Sequence, residues 1–282
     1  FGKPRDRFAQ YQKHQFKYNG DVYDFNCYSI SKYFHLCMDC NPNMMETLFY
    51  PVDVTTHSTQ IHQIVKDNRH LFLHKGAYHR LKGYAYAQMS KALSVAKDND
   101  IIRIREFEEK HNIPHDTTFE QIKNHLFFDT YTQCFNVLDI DILKEYYDMF
   151  KHGLEKTKRF ESQKIHNADT KFLYHLARLT NYCRQILETH TLDVRQDREY
   201  WKAIRRGEVS TAVLQQKFEE EERQLQKLYE TSTLRKFPEE QSIKTVLLQC
   251  LEHHYGNIPV QIEDHYKLAL MKISDIISKT KF

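Results

Sequence analysis

The sequence predicts an α+β fold that is predominantly α-helical. Three observations carry this: only seven glycines and six prolines punctuate 282 residues, long segments repeat apolar residues at helical spacing, and strand candidates are confined to the first few dozen residues. At 40% hydrophobic content the chain can build a substantial core, as one large domain or two modest ones.

Residues 1–20, FGKPRDRFAQYQKHQFKYNG, show no clean period and read as loop or short irregular elements around a basic, aromatic cluster. Val22, Tyr23, Phe25 and Cys27 then suit a short strand, after which Ile30, Tyr33, Phe34 and Cys37 take up helical spacing. Ser29 is the expected N-cap, and Asn41-Pro42 stops that helix. Further helices are predicted at 57–69, 73–97, 100–111, 117–127, 139–159, 167–189, 197–206, 210–231, 238–255 and 262–279. The stretch FEEEERQLQKLYE places Glu219 four residues before Arg223, and its acidic run reads as a solvated helix face.

The net charge of +3 is too small for a protein that coats nucleic acid, so any basic surface must be local. Six cysteines without an even framework favour free thiols in a reducing, cytoplasmic compartment. No apolar run approaches the ~20 residues of a membrane span, no membrane association is expected, and the first thirty residues are not signal-like. There is no GxSxG, no P-loop and no GxGxxG, which removes the usual hydrolase, P-loop and dinucleotide readings. The CMDC pair Cys37 and Cys40 lacks a second ligand pair at zinc spacing. His253 and His254 point about 100° apart on a helix and cannot hold one ion together.

Two basic clusters remain. In DTKFLYHLARLTNYC (169–183), Lys171, His175 and Arg178 fall on one stripe beside the apolar arc of Phe172, Leu176, Leu179 and Cys183. Such a seam is open to two readings, a solvated or salt-bridged face or an anion site. In HKGAYHRLKGY (74–84), cations alternate with tyrosines, a mixture that suits phosphate beside a stacked base.

Four segments, taken in order, add a resemblance. YDFNCYSISKYFHLCMDCNPNMMETLF (23–49), LFLHKGAYHRLKGYAYAQMSK (71–91), DTKFLYHLARL (169–179) and DREYWKAIRRGE (197–208) resemble a family of predicted nucleotidyltransferases of the DNA polymerase beta superfamily, from bacteria and phages, with the RNA-ligase-associated branch nearest. The resemblance implies the C-terminal part, or remnant, of a polymerase-beta-like nucleotidyltransferase core over 1–56, followed by a large helical domain over 57–282. It implies transfer of a nucleotidyl group from an NTP to a hydroxyl of RNA, tRNA or a small acceptor, with two Mg2+ ions.

In that superfamily a Gly-Ser or Gly-Gly motif holds the triphosphate, while an Asp-x-Asp pair and a third carboxylate bind the metals. The sequence has no such block ahead of its first strand, and the expected place for it lies before Phe1. Asp24 matches the third carboxylate, with Asp21 as runner-up. Lys171, His175 and Arg178 match the family's cations, implied to line a cleft between core and helical domain and grip triphosphate or acceptor, with Lys75 and Tyr84 contributing. Asn41, Asn43 and Glu46 match a turn motif in which Asn43 is expected to cap the next segment and Glu46 to pair with one of these bases. Without the Gly-Ser and Asp-x-Asp block, a catalytically inactive helical binding or assembly protein stands as the alternative. A nucleic-acid-binding module without catalysis is also open.

Overall fold

The computed structural model describes residues 11–128, 140–256 and 266–273, and it is predominantly helical with one small antiparallel sheet. Contacts divide the chain into two compact units. The first gathers the described residues of 1–77, 189–194 and 233–282, and the second comprises 78–188 and 195–232. These units follow contact density, a different criterion from the family-implied boundary at residue 56.

The first unit opens with β1 (Tyr11–Tyr18) and β2 (Asp21–Tyr28), antiparallel with Tyr11 opposite Tyr28 and Tyr18 opposite Asp21. The strand expected at 22–27 is present, but the irregular reading of 1–20 is corrected over 11–18. Asn19 and Gly20 form the two-residue turn at φ of 48° and 85°, the double left-handed geometry that Asn-Gly favours and that matches strand twist. Every residue of β2 is exposed, including half-exposed Phe25, and Phe16 stacks on Tyr23 at 5.3 Å.

Helix α1 (Ile30–Met38) starts as expected, with the Ser29 hydroxyl accepting from the Lys32 amide. Helix α2 (Pro42–Leu48) corrects the turn reading. Asn41, not Asn43, is its cap, its side-chain oxygen accepting from the amides of Asn43 and Met44, while Pro42 occupies the first turn, where no amide is needed. After α3 (Gln60–Asp67) and a 3-10 turn, the chain enters α4 (Gly76–Leu93), and α12 (Glu240–Tyr255) packs on α3 and α1. Phe34, Met45, Leu48 and Phe72 are buried at the centre of this unit, with Phe34 edge-on to Phe72.

The second unit continues α4 and adds α5 (Asn99–His111), α6 (Phe119–Phe128), α7 (Ile140–Lys156), α8 (Phe160–His166), α9 (Thr170–Thr189), α10 (Arg198–Arg206) and α11 (Thr211–Thr231). The single helix expected over 139–159 is corrected at its end: α7 stops at Lys156, and α8 begins four residues later. The break follows a close approach at Gly153, where a Cβ would fall 2.3 Å from the Phe160 ring. Ile104, Ile122, Tyr146, Phe150 and Phe160 form the apolar core here. Of the helix expected at 262–279, residues 266–273 are helical. The rest of that helix, residues 1–10 and Cys134 lie outside the described residues. Among the described residues no helix is long and apolar enough to cross a membrane.

Candidate functional site

The seam on α9 begins with a cap that sequence reading left without a role. Asp169 is 2% exposed; its carboxylate accepts from the Lys171 amide at 3.0 Å and from Gln163 Nε2 at 3.2 Å, and it is ion-paired with Arg159 at 2.5 Å. Its carbonyl accepts from the amides of Phe172 and Leu173, so the first turn starts here. A capping carboxylate next to the positive helix end fixes where the seam sits along the helix. From there Leu173, Leu176, Leu179 and Cys183 are buried, while Lys171 is exposed and His175 and Arg178 are half-buried.

The seam is not three cations in a row. Arg178 Nη2 lies 3.2 Å from His175 Nδ1, and its guanidinium stacks 5.3 Å from the Tyr174 ring and 5.8 Å from Tyr182. Burial first, and then the positive charges of Arg178, Lys171 and Arg205, hold the His175 pKa down at about 4. At neutral pH the imidazole is therefore uncharged, and Nδ1 accepts from the guanidinium. Sequence reading missed Arg205, which comes from α10 and donates to Thr170 Oγ1 at 2.8 Å. Its signal lay in the quoted DREYWKAIRRGE, where buried Trp201 and Ile204 orient the helix and leave Arg205 on the exposed side. None of the ion pairs among the described residues involves Lys171 or Arg205. The result is a local excess of positive charge around a neutral histidine, held by aromatic rings: an arrangement able to bind an anion with several oxygens.

The other predicted residues lie on other elements. Tyr84 lies on α4 in the second unit, 38% exposed. Lys75 lies in the first unit just before α4, its amide donating to the Arg235 carbonyl. Asn41, Asn43 and Glu46 belong to α2 and its cap in the first unit. Asp24 sits at the centre of the exposed hairpin, where Gln15 Nε2 donates to it at 3.0 Å and Lys13 lies 3.7 Å away across the strands. Asp21 closes the same hairpin at its turn. No group of three or more His, Cys, Asp or Glu among the described residues could hold a metal ion. Among the described residues the carboxylates near Asp24 do not fit a two-metal centre, since Asp24 has a lysine and an amide beside it and no second carboxylate in register.

The thiols of CMDC serve packing. Cys37 and Cys40 are fully buried, and burial pushes the Cys37 thiol up to about 12, the opposite of what a thiolate ligand needs. His74, next to them, has both nitrogens engaged: Nδ1 accepts from the Gly76 amide, and Nε2 lies 2.8 Å from the Met38 carbonyl and 3.3 Å from Cys40 Sγ. The aromatic cations of 74–84 are also largely committed. Lys82 bridges Glu222 at 2.8 Å and the Tyr78 hydroxyl at 3.0 Å, Tyr86 donates to Glu222, and Tyr78 stacks on Tyr229. Hence the acidic run of α11 is only partly a solvated face, because Glu221 and Glu222 pair with Arg184 and Lys82 of other helices. The expected Glu219–Arg223 pair is replaced by Glu220–Arg223 at 2.6 Å.

Comparison with known proteins adds one finding. No curated protein and no solved structure matches the chain. Residues 11–107 match the model of a family described as RNA repair pathway DNA polymerase beta family. The matched span contains Asp24, the Asn41–Glu46 segment, Lys75 and Tyr84, and it ends before the α9 seam. Residues 11–107 are thus similar to the RNA repair pathway DNA polymerase beta family, in agreement with the polymerase-beta-like nucleotidyltransferase resemblance of the sequence.

Proposed function

We propose that the protein works in nucleotidyl transfer and that the α9 seam is where it grips the triphosphate of an NTP. The observation that carries this reading is the excess of positive charge: Lys171, Arg178 and Arg205 surround a histidine kept neutral, and neither Lys171 nor Arg205 is paired with a carboxylate among the described residues. A guanidinium backed by tyrosine rings keeps its donors in one plane, which suits phosphate oxygens better than a flexible ammonium alone. In the reaction the family implies, an acceptor hydroxyl of RNA or a small molecule attacks the α-phosphorus, the bond to the bridging oxygen breaks, and pyrophosphate leaves with that oxygen. The seam's part would be to hold the β- and γ-phosphates so that the leaving charge is neutralised. The Mg2+ pair of the family would use Asp24, whose neighbours among the described residues do not complete a metal site.

A second reading is binding without transfer, in which the seam holds the anion and no nucleotidyl group moves. Calorimetry with ATP, GTP, CTP and UTP, each with and without Mg2+, separates the two. Binding that strengthens with Mg2+ together with release of pyrophosphate supports transfer, and metal-independent binding without pyrophosphate supports the second reading. Absence of any NTP binding, or binding unaffected by Lys171→Ala and Arg178→Ala, would overturn both.

A further inference from the structure

On the opposite side of α9 lies a cavity of about 280 Å³, enclosed by α9, α10, α11 and the turn before α10, all within the second unit. Of its α9 residues, Leu173, Leu176, Ala177, Thr180 and Arg184 stand roughly 180° around the helix from Lys171 and His175 at 100° per residue, and Asn181 roughly 100°. A helix about 10 Å across separates the two places, so this is not a lobe of the anion seam.

The lining divides by chemistry. Leu173, Leu176, Trp201 and Leu214 are buried and give an apolar wall, and the rings of Tyr200 and Phe218 complete it. The polar edge is electrically balanced, with Arg184 paired to Glu221 and Lys217 4.2 Å above the Tyr200 ring. Asp197 is the exception to this pairing of like with unlike. It precedes α10 in a left-handed conformation at φ 61°, not the extended one in which an aspartate caps a helix, and its side chain makes no cap bond. Instead buried Gln185 donates to Asn181 at 2.5 Å, and Asn181 donates to one Asp197 oxygen at 2.9 Å. That chain of amides holds an exposed carboxylate at the cavity's rim and leaves its second oxygen as an acceptor. A volume just under the ~300–1,000 Å³ of drug-sized sites, flat aromatic walls, no net charge and one fixed acceptor describe a small, neutral, planar ligand with an N–H donor at its edge.

We propose that this cavity binds an amine-bearing aromatic heterocycle, the chemistry of a nucleobase, with Asp197 accepting from the exocyclic amine and Tyr200, Trp201 and Phe218 covering the ring. The inference does not depend on triphosphate binding at the seam.

Trp201 is the single tryptophan of the chain, so its fluorescence reports directly on the cavity. Titration with adenosine should give a saturable change, matched by calorimetry, and purine riboside, which lacks the exocyclic amine, should bind about tenfold more weakly. Asp197→Ala should remove that preference, Ala177→Phe should fill the cavity and abolish binding, and Lys171→Ala should leave both unchanged. An oligoadenylate that binds more tightly than adenosine, and loses binding in Ala177→Phe, identifies a base delivered on a strand. Equal affinity per base identifies a free nucleoside or base. No saturable response to any of these probes, or equal binding of adenosine and purine riboside with Asp197→Ala silent, overturns the proposal.

Discussion

The second unit holds two clusters of charge that differ in one respect. Around Glu108 the central charges are buried and matched: Lys164 and Glu108 are fully buried with Nζ 2.5 Å from Oε1, the Tyr146 hydroxyl donates to the same oxygen, and the exposed His115 reaches in with Nδ1 2.9 Å from Oε2. Burial lowers the Lys164 pKa, opposed by Glu108, and Arg105 donates to the Lys164 carbonyl. At the α9 seam the cations are at or near the surface, and Lys171 and Arg205 are not ion-paired among the described residues. A buried charge without a partner would cost several kcal/mol, so the Glu108 cluster must be complete for the fold to form. A surface cation carries no such demand and stays available for a ligand. The first cluster ties α5, α7 and α8 together, and the second is the one proposed to hold a ligand.

The sharpest way to break this contrast is to remove one partner of the buried pair. Lys164→Met leaves Glu108 buried without its cation and should destabilise the protein by about 3–5 kcal/mol in chemical denaturation. Adding Glu108→Leu should recover much of that loss, because an apolar pair of similar volume needs no compensation. A single variant within about 1 kcal/mol of the parent would mean that the pair is not the structural element described.

The seam should respond in the reverse manner. Lys171→Ala and Arg178→Ala should each weaken NTP or pyrophosphate binding by about 1–3 kcal/mol. Lys171→Ala should shift folding stability by less than about 0.5 kcal/mol, as befits an exposed side chain. Arg178→Ala also removes packing on two tyrosines and is expected to cost somewhat more stability.

His175 gives a smaller effect with a definite sign. Its folded pKa of about 4 lies below the ordinary ~6.5 of an unfolded histidine, so between those values only the unfolded chain takes up the proton. Its contribution to stability is therefore complete above about pH 6.5 and falls as pH drops toward 4, by about 1–2 kcal/mol once its partial exposure is discounted. Histidine NMR titration and denaturation at pH 7 and pH 4.5 test this, with His175→Gln as the variant that should flatten the difference. A titration near 6.5 would put the seam in water and return it to a solvated face.

Much of this was legible in the sequence where local signals agree with packing. The 3.6-residue period located α9, α10 and α11 to within a few residues, and the stripe of Lys171, His175 and Arg178 followed from spacing alone. What spacing cannot reveal is which element faces which. Arg205 joins the seam only through the placement of α10, and Lys82 is removed from the candidate cations only because Glu222 meets it across helices. The protonation state of His175 depends on the sum of those neighbours and so lay outside any local pattern. The β1 strand is a different case. Its Asn19-Gly20 turn was visible, and weighting it against the lack of a clean apolar period would have found the hairpin.

Asp24 separates structure from function most cleanly, because its structural contribution is small. It lies on an exposed hairpin, with a side chain 56% exposed and diagonal to Lys13 at 3.7 Å, and such surface pairs contribute about 0–1 kcal/mol. Asp24→Asn keeps the shape and the hydrogen bond from Gln15 while removing the charge, so stability should change by less than about 0.5 kcal/mol. If Mg2+-dependent NTP binding falls in this variant while metal-free binding at the seam persists, the carboxylate acts on the metal, as the family resemblance implies. If both kinds of binding persist, Asp24 is a strand residue paired to Lys13, and the anion seam of α9 works without it.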